Sequence, residues 1–600
     1  MTRYPRLWWR LLRLCFVHYP GLTAAAFACR LLSLVTVPAT GLALRSALDS
    51  STAGVLHAAI LGAVGAAAAH TVNVTVEYLG NSVKINLVDR AGLLVLDAEI
   101  LRDVCGIETM DHLERGDFLD RVDLLRGASW GVLASAWNAL DAMVNVVRLA
   151  IIFILLSTVS PLLLLLLAFA VIPLWFDTRG RRAVIRTETE TAEDMRFQRH
   201  LFDLATDAAS GKEIRVTGAG PELIRRQAAA FRAAHEARFR AQLVGAAWTA
   251  GGWTIFTLGF AGALALVVHD AAGGAGSIGD VVLAIAIATS LRGLVQQAVT
   301  RSVLTASSAV LLEPYLWLRD YAARERGHGD DRAAGAAVPR TLRDGIRLEH
   351  LTYRYPGSDR AALDDVTAHF PAGSVVAIVG EYGSGKSTLV KVLCKFHRPS
   401  SGRILLDGTD LADLDGTSWW ARLAVTFQDF GRYHTLLGEA VGLGDLPHLG
   451  SRSRILEAVS AADADGLIER LPNGLATPLG REFGGWELSE GQWQKIGLAR
   501  ACMRHEPLLF VLDEPTASLD APSERAIFEH YVRRARHLAA RTGAVTVIVS
   551  HRFSTVSGAD LILVMQGGRL VETGRHESLL AAGGVYAELY EISSRAYTLD

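Results

Sequence analysis

At 600 residues the chain is too long for one ordinary domain, and half of it is hydrophobic, with the apolar residues concentrated before residue 310. A formal net charge of −2 gives no reason to expect nucleic acid as a partner. Cys15, Cys29, Cys105, Cys394 and Cys502 form no CxxC pair and no metal-ligand spacing, and are expected to be reduced structural thiols.

Residues 1–20 interleave Arg3, Arg6, Arg10 and Arg13 with Leu7, Trp8, Trp9, Leu11, Leu12 and Leu14. A basic, aromatic, amphipathic segment of this kind prefers the headgroup region, so an elbow helix along the membrane face is expected. It lacks the small-residue cleavage site of a secretory signal. Six stretches long enough to cross ~30 Å of hydrocarbon follow, at residues 21–44, 53–79, 130–157, 161–176, 243–268 and 278–299. The connections at 49–52, 158–160 and 269–277 are short and hold no Lys or Arg, whereas 81–129 and 177–242 are long, helical in pattern and rich in Arg. The positive-inside rule puts the long connections and both termini in the cytoplasm. The expectation is a multi-pass protein of the cell membrane, with a six-helix transmembrane domain over 21–320 set in the lipid bilayer.

Polar residues recur at three- and four-residue intervals inside these stretches. Asn138, Asp141, Asn145 and Arg148 share one helix face in the third, His70, Asn73, Glu77, Asn81 and Lys84 one face across the second, and Arg292, Gln296 and Thr300 one face at the sixth. A charge facing lipid costs about 2.5–3.5 kcal/mol on insertion scales, so these faces should point into the bundle or a wet pathway. Interhelical hydrogen bonding and contact with a polar or amphipathic cargo both fit the pattern.

The polar stretch 321–345 reads as a linker. Beyond it, 346–351 alternates as a strand does and ends near Tyr353 and Tyr355. The apolar run 375–379 then leads into Gly380, Glu381, Tyr382, Gly383, Ser384, Gly385, Lys386, Ser387 and Thr388, and apolar residues resume at 389–393. Strand, glycine loop and helix start form the setting of a phosphate-binding P-loop. Its amides and the helix N-terminus would hold the phosphates of ATP, Lys386 would reach the β- and γ-phosphates, and Ser387 would bind Mg²⁺. Downstream come Leu488-Ser489-Glu490-Gly491-Gln492, the run 508–512 ending in Asp513-Glu514-Pro515, then Ser518-Leu519-Asp520 and Ser550-His551-Arg552.

In that order and at those intervals the set resembles the ABC transporter ATPases. With six spans ahead of it, the chain is similar to exporter-type half-transporters, such as bacterial multidrug and natural-product exporters. The resemblance implies an α-helical membrane domain with long cytoplasmic extensions, fused to an α/β P-loop ATPase domain over 346–600. It implies that Tyr355, rather than Tyr353, stacks on adenine, and that Asp513 and Gln428 join Ser387 at Mg²⁺. Glu514 would polarise the attacking water, with His551 and Lys386 at the γ-phosphate. Ser489 and Gly491 of the signature loop would close over ATP held by a second ATPase domain, and Asp520 would lie at that interface. The partner is then an identical chain or a related half-transporter. Glu490 departs from the family's glycine and puts the turnover rate in doubt. Segments 107–123 and 212–218 look like the family's coupling helices. The activity implied is ATP-driven export of a small molecule or processed peptide; a siderophore importer of the same architecture, or an ATP-gated channel or sensor, is the alternative.

Overall fold

The computed structural model describes residues 3–159, 161–273, 277–285, 293–297, 309–330, 337–514, 521–550 and 556–597. The chain divides into two compact units, Met1–Arg102 with Asp123–Leu318, and Asp103–Val122 with Arg319–Asp600.

The first unit is helical. The α1 helix (Arg3–His18) buries Leu7, Leu11, Leu14 and Cys15 along one stripe and leaves Trp9 outside, as its i, i+4, i+7 apolar spacing requires. Pro20, whose missing N–H costs nothing in a first turn, starts α2 (Pro20–Thr52). The α3 helix (Leu56–Ala91) packs back on α2 at very short range, because a Cβ on Gly62 would stand 2.7 Å from the Ala47 amide nitrogen. It continues through one π-helical turn, Gly92–Leu96, into α4 (Asp97–Cys105). After α5 (Gly116–Asp123) come α6 (Ser129–Val159), a 3₁₀ turn at Pro161–Leu165, α7 (Leu166–Glu190), α8 (Ala192–Thr206), α9 (Ala208–Thr217) and α10 (Gly220–Ala272).

Among the described residues five helices are long and apolar enough to cross a membrane. They overlap the first five expected spans, starting a few residues inside those at 53–79 and 161–176, and all run past the C-terminal end of the span, since hydropathy marks the hydrocarbon and not the end of the helix. The sixth span, 278–299, is helical over 278–285 and 293–297, and the rest of it, with Arg292 and Thr300, lies outside the described residues.

Beyond Asp103–Val122, the second unit takes in the C-terminal part of α11 (Ala309–Asp330). The stretch expected as linker from 321 is helical to Asp330, consistent with its run of Ala, Arg and Glu. A four-stranded antiparallel sheet follows the order β2 (Leu363–Pro371), β1 (Gly345–Tyr353), β4 (Ser401–Leu406), β5 (Thr409–Asp410). A six-stranded sheet runs β10 (Arg569–Gly574), β9 (Leu561–Gln566), β3 (Val375–Gly380), β8 (Val545–Val549), β7 (Leu509–Asp513), β6 (Leu423–Thr426). All its neighbours pair in parallel except the β10 edge. Strands β3, β7 and β8 are buried at every residue, as continuous apolar runs in a doubly covered parallel sheet should be. The carboxyl ends of β3 and β7 therefore open on the same edge, where α/β sheets bind ligands.

Residues 107–115, read from sequence as part of a helix, form turns ahead of α5 instead. The backbone there is engaged elsewhere, since the Met110 amide donates to the Phe396 carbonyl at 2.8 Å. The other coupling segment, 212–218, lies in α9, which is capped by Asp207 accepting from the Ser210 amide at 2.8 Å and ends at Gly218.

Candidate nucleotide site

Strand β3 delivers the chain into the glycine loop, and α12 (Lys386–Leu393) leaves it. Gly385 adopts φ 101°, and a Cβ there would stand 2.6 Å from the Ala362 carbonyl oxygen, so no side chain fits. The Lys386 ammonium folds over the loop and donates to the carbonyls of Gly380 at 2.9 Å and Glu381 at 2.8 Å. Burial lowers its pKa, and the charges of Glu514 and Asp513 oppose that shift. A cavity of about 410 Å³ opens here, lined by Tyr355, Arg360, residues 382–388, Gln428 and Glu514.

Asp513 closes β7 and is 4% exposed, with its Oδ1 buried and without a hydrogen-bond partner. Burial, then the charge of Glu514, pushes its carboxyl up to about 6, against a hydrogen bond with Ser387. A carboxylate oxygen left over beside a serine hydroxyl is the hard oxygen donor pair that Mg²⁺ takes together with phosphate oxygens, so these residues fit the ion. Glu514 sits at φ 50°, a conformation disfavoured for a side-chain-bearing residue, and accepts from Gln428 Nε2 at 2.9 Å. Gln494 Nε2 donates to its backbone carbonyl at 3.2 Å. Gln428 and Glu514 meet because β6 and β7 are paired neighbours.

The two tyrosines separate. Tyr353 is buried, donates to Asp111 at 2.8 Å and stacks on His397 at 4.8 Å, whereas Tyr355 lines the cavity with its hydroxyl 3.0 Å from Thr388 Oγ1. Asp111 belongs to an acidic comb in which Glu108 faces Lys395 at 3.0 Å and Arg398 at 3.1 Å, Asp111 faces His397 at 2.5 Å, and Glu114 faces Lys391 at 2.7 Å. Burial raises the Asp111 carboxyl, but hydrogen bonds from His397 and Tyr353 outweigh it and hold the group below the usual carboxylate range.

Ser489 and Gly491 do not reach the cavity. They begin α13 (Glu490–Cys502), where Ser489 caps the helix, its Oγ accepting from the Gln492 amide at 3.4 Å while Gln492 Oε1 accepts from the Ser489 amide at 2.9 Å. His551 and Asp520 lie outside the described residues. Sequence reasoning missed Arg360 and the Gly567-Gly568 hairpin turn at the cavity wall, although a glycine doublet between two strands was a signal for the turn. A larger cavity of about 780 Å³, bounded by Gly106, Arg326, Arg398 and Trp420, contains no part of the phosphate loop.

Residues 363–517 match the family model for the ABC transporter. The chain is 39% identical over 252 residues to an ATP-dependent lipid A-core flippase of Ralstonia nicotianae, covering 42% of this chain and 41% of that protein. It is 38% identical over 245 residues to the flippase of Pseudomonas aeruginosa, covering 41% and 39%. It thus spans about two fifths of the length of the curated relatives it matches. A bacterial Atm1-family ABC exporter solved with ATP bound superposes with a TM-score of 0.75 at 24% identity, over 96% of this chain and 98% of that one. Residues 363–517 are thus similar to the ATP-binding domain of the ABC transporters, and the chain, with its apolar helices ahead of that domain, has the fold of the solved exporter.

Proposed function

We propose that the chain is an ATP-driven exporter, moving a small molecule or processed peptide across the cytoplasmic membrane at the expense of ATP hydrolysis. The observation that carries this reading is the convergence of Lys386, Ser387, Gln428, Asp513 and Glu514 on one edge of the parallel sheet. Lys386 exchanges the loop carbonyls for phosphate oxygens. Glu514, held by Gln428, orients the attacking water and takes up its proton, with His551 at the γ-phosphate. Ser387 and Asp513 would hold Mg²⁺, which when bound would supply neutralising charge to the phosphates. Tyr355 stacks on the adenine.

Because Ser489 and Gly491 lie outside their own chain's cavity, they serve the nucleotide of a second ATPase domain, and two chains act together as a homodimer or with a related half-transporter, meeting near Asp520. Closure reaches the cargo through the acidic comb of Glu108, Asp111 and Glu114, which belongs to the ATPase unit although its residues lie between two membrane helices. Both termini are cytoplasmic in this reading. The flippase relatives make a lipid-like amphiphile the first cargo to test. Inverted membrane vesicles carrying the chain should take up a fluorescent lipid analogue or a fluorescent amphiphilic cation when given Mg²⁺-ATP, and Glu514→Gln vesicles should not. Uptake confined to right-side-out vesicles loaded with ATP would contradict export.

A further inference from the structure

Glu490 places a carboxylate at the first residue of α13, beside the amides that the proposed function aims at a phosphate. A negative charge there stabilises the helix terminus and repels an incoming phosphate. In the structure the carboxylate has an ion-pair partner, the Arg432 guanidinium, with Glu490 Oε2 accepting from Nη2.

Residues 430–434 bring Arg432 to this point by lying along α13. The Phe430 ring closes over Gly497, where an added Cβ would stand 3.2 Å from it. Arg500, in the last turn of α13, donates to the Gly431 carbonyl at 3.0 Å and covers the Tyr433 ring at 4.2 Å. The His434 ring lies 5.7 Å from that of Trp493. Four residues before Arg432, Gln428 holds Glu514. The segment that positions the catalytic carboxylate at one end therefore positions the cation on the signature loop at the other.

We propose that Arg432 is a positioning residue for the signature loop, neutralising Glu490 so that the N-terminus of α13 accepts the terminal phosphate of a nucleotide bound to a second copy of the chain. The inference rests on the ATPase reading above. Both side chains are about half exposed, and such pairs contribute little to folding, so the effect belongs to nucleotide engagement rather than stability. A lone Glu490 would meet the phosphate unscreened, and a glycine at 490 would make Arg432 dispensable.

The test is Mg²⁺-ATPase kinetics of the full-length chain in lipid nanodiscs, with binding of trinitrophenyl-ATP measured alongside. Arg432→Ala should raise KM for ATP about tenfold while kcat falls less than threefold, and Arg432→Lys should recover most of the loss. Adding Glu490→Gly to Arg432→Ala should restore KM to that of Glu490→Gly alone. An Arg432→Ala effect of equal size in both backgrounds, or none in either, overturns the proposal. A wild-type chain that hydrolyses nothing overturns the ATPase reading instead, and the same pattern of variants in trinitrophenyl-ATP affinity then decides the pair.

Discussion

Lys386 and Ser387 were legible because a P-loop is contiguous, its glycines, lysine and hydroxyl falling in nine residues. The pairing of Gln428 with Glu514 was not, since 86 residues separate them and only the alignment of β6 with β7 brings them together. The resemblance favoured Tyr355 over Tyr353, but strand periodicity alone does not separate them, because residues two apart in an extended chain share a face. Their hydroxyl partners distinguish them, Asp111 for the first and Thr388 for the second. Tyr355→Ala should therefore raise KM for ATP about tenfold, the loss of roughly 1.4 kcal/mol of ring contact, with kcat little changed. Tyr353→Phe should leave KM alone and cost about 1 kcal/mol of stability through the lost bond to Asp111. Reversal of the two effects in steady-state kinetics and thermal melts would exchange their roles.

The membrane helices were legible as apolar runs, and the Asp141, Asn145, Arg148 face was legible from its spacing; these three are buried. What spacing could not supply was the partners. Asp141 is paired with Arg30 Nε at 2.7 Å and Lys84 Nζ at 3.0 Å, and Arg148 with Glu77 at 3.1 Å and the Ser33 carbonyl at 3.1 Å, so the stripe ties α6 to α2 and α3. Arg30 belonged to none of the predicted stripes, because it stands alone among apolar neighbours in its own helix. These contacts are those of interhelical pairing, one of the two readings open at the sequence level. Asp141→Asn leaves Arg30 and Lys84 without the charge between them and should destabilise the helical unit by about 3 kcal/mol, lowering the melting temperature in detergent. An unchanged melting temperature with altered substrate-stimulated ATPase would favour cargo contact instead. Residues 107–115 taught the reverse lesson, since a segment read as part of a coupling helix is a turn whose Glu108, Asp111 and Glu114 side chains meet Lys395, Arg398, His397 and Lys391 of the ATPase unit.

For the molecule as a whole, composition announced two parts, but not that Asp103–Val122, enclosed in sequence by membrane helices, packs with the ATP-binding unit. Contacts of that kind join residues some 240 to 290 positions apart, as Asp111 with Tyr353 and Glu108 with Arg398 do, and no local pattern encodes them. Ser489 and Gly491 are not among the residues lining their own chain's cavity, and in the proposed function they serve a second ATPase domain. The proposed function unites the two parts through ATP hydrolysis at Glu514, and the most direct measurement is Mg²⁺-ATPase activity of the purified wild-type chain and its Glu514→Gln variant, with ATP binding recorded for both. Wild type should hydrolyse ATP, while the variant binds it as tightly and loses at least about a hundredfold in kcat, since the amide keeps the shape and the Gln428 contact but takes up no proton. Near-normal turnover by the variant, or a wild-type chain that binds ATP without hydrolysing it, would contradict the proposed function.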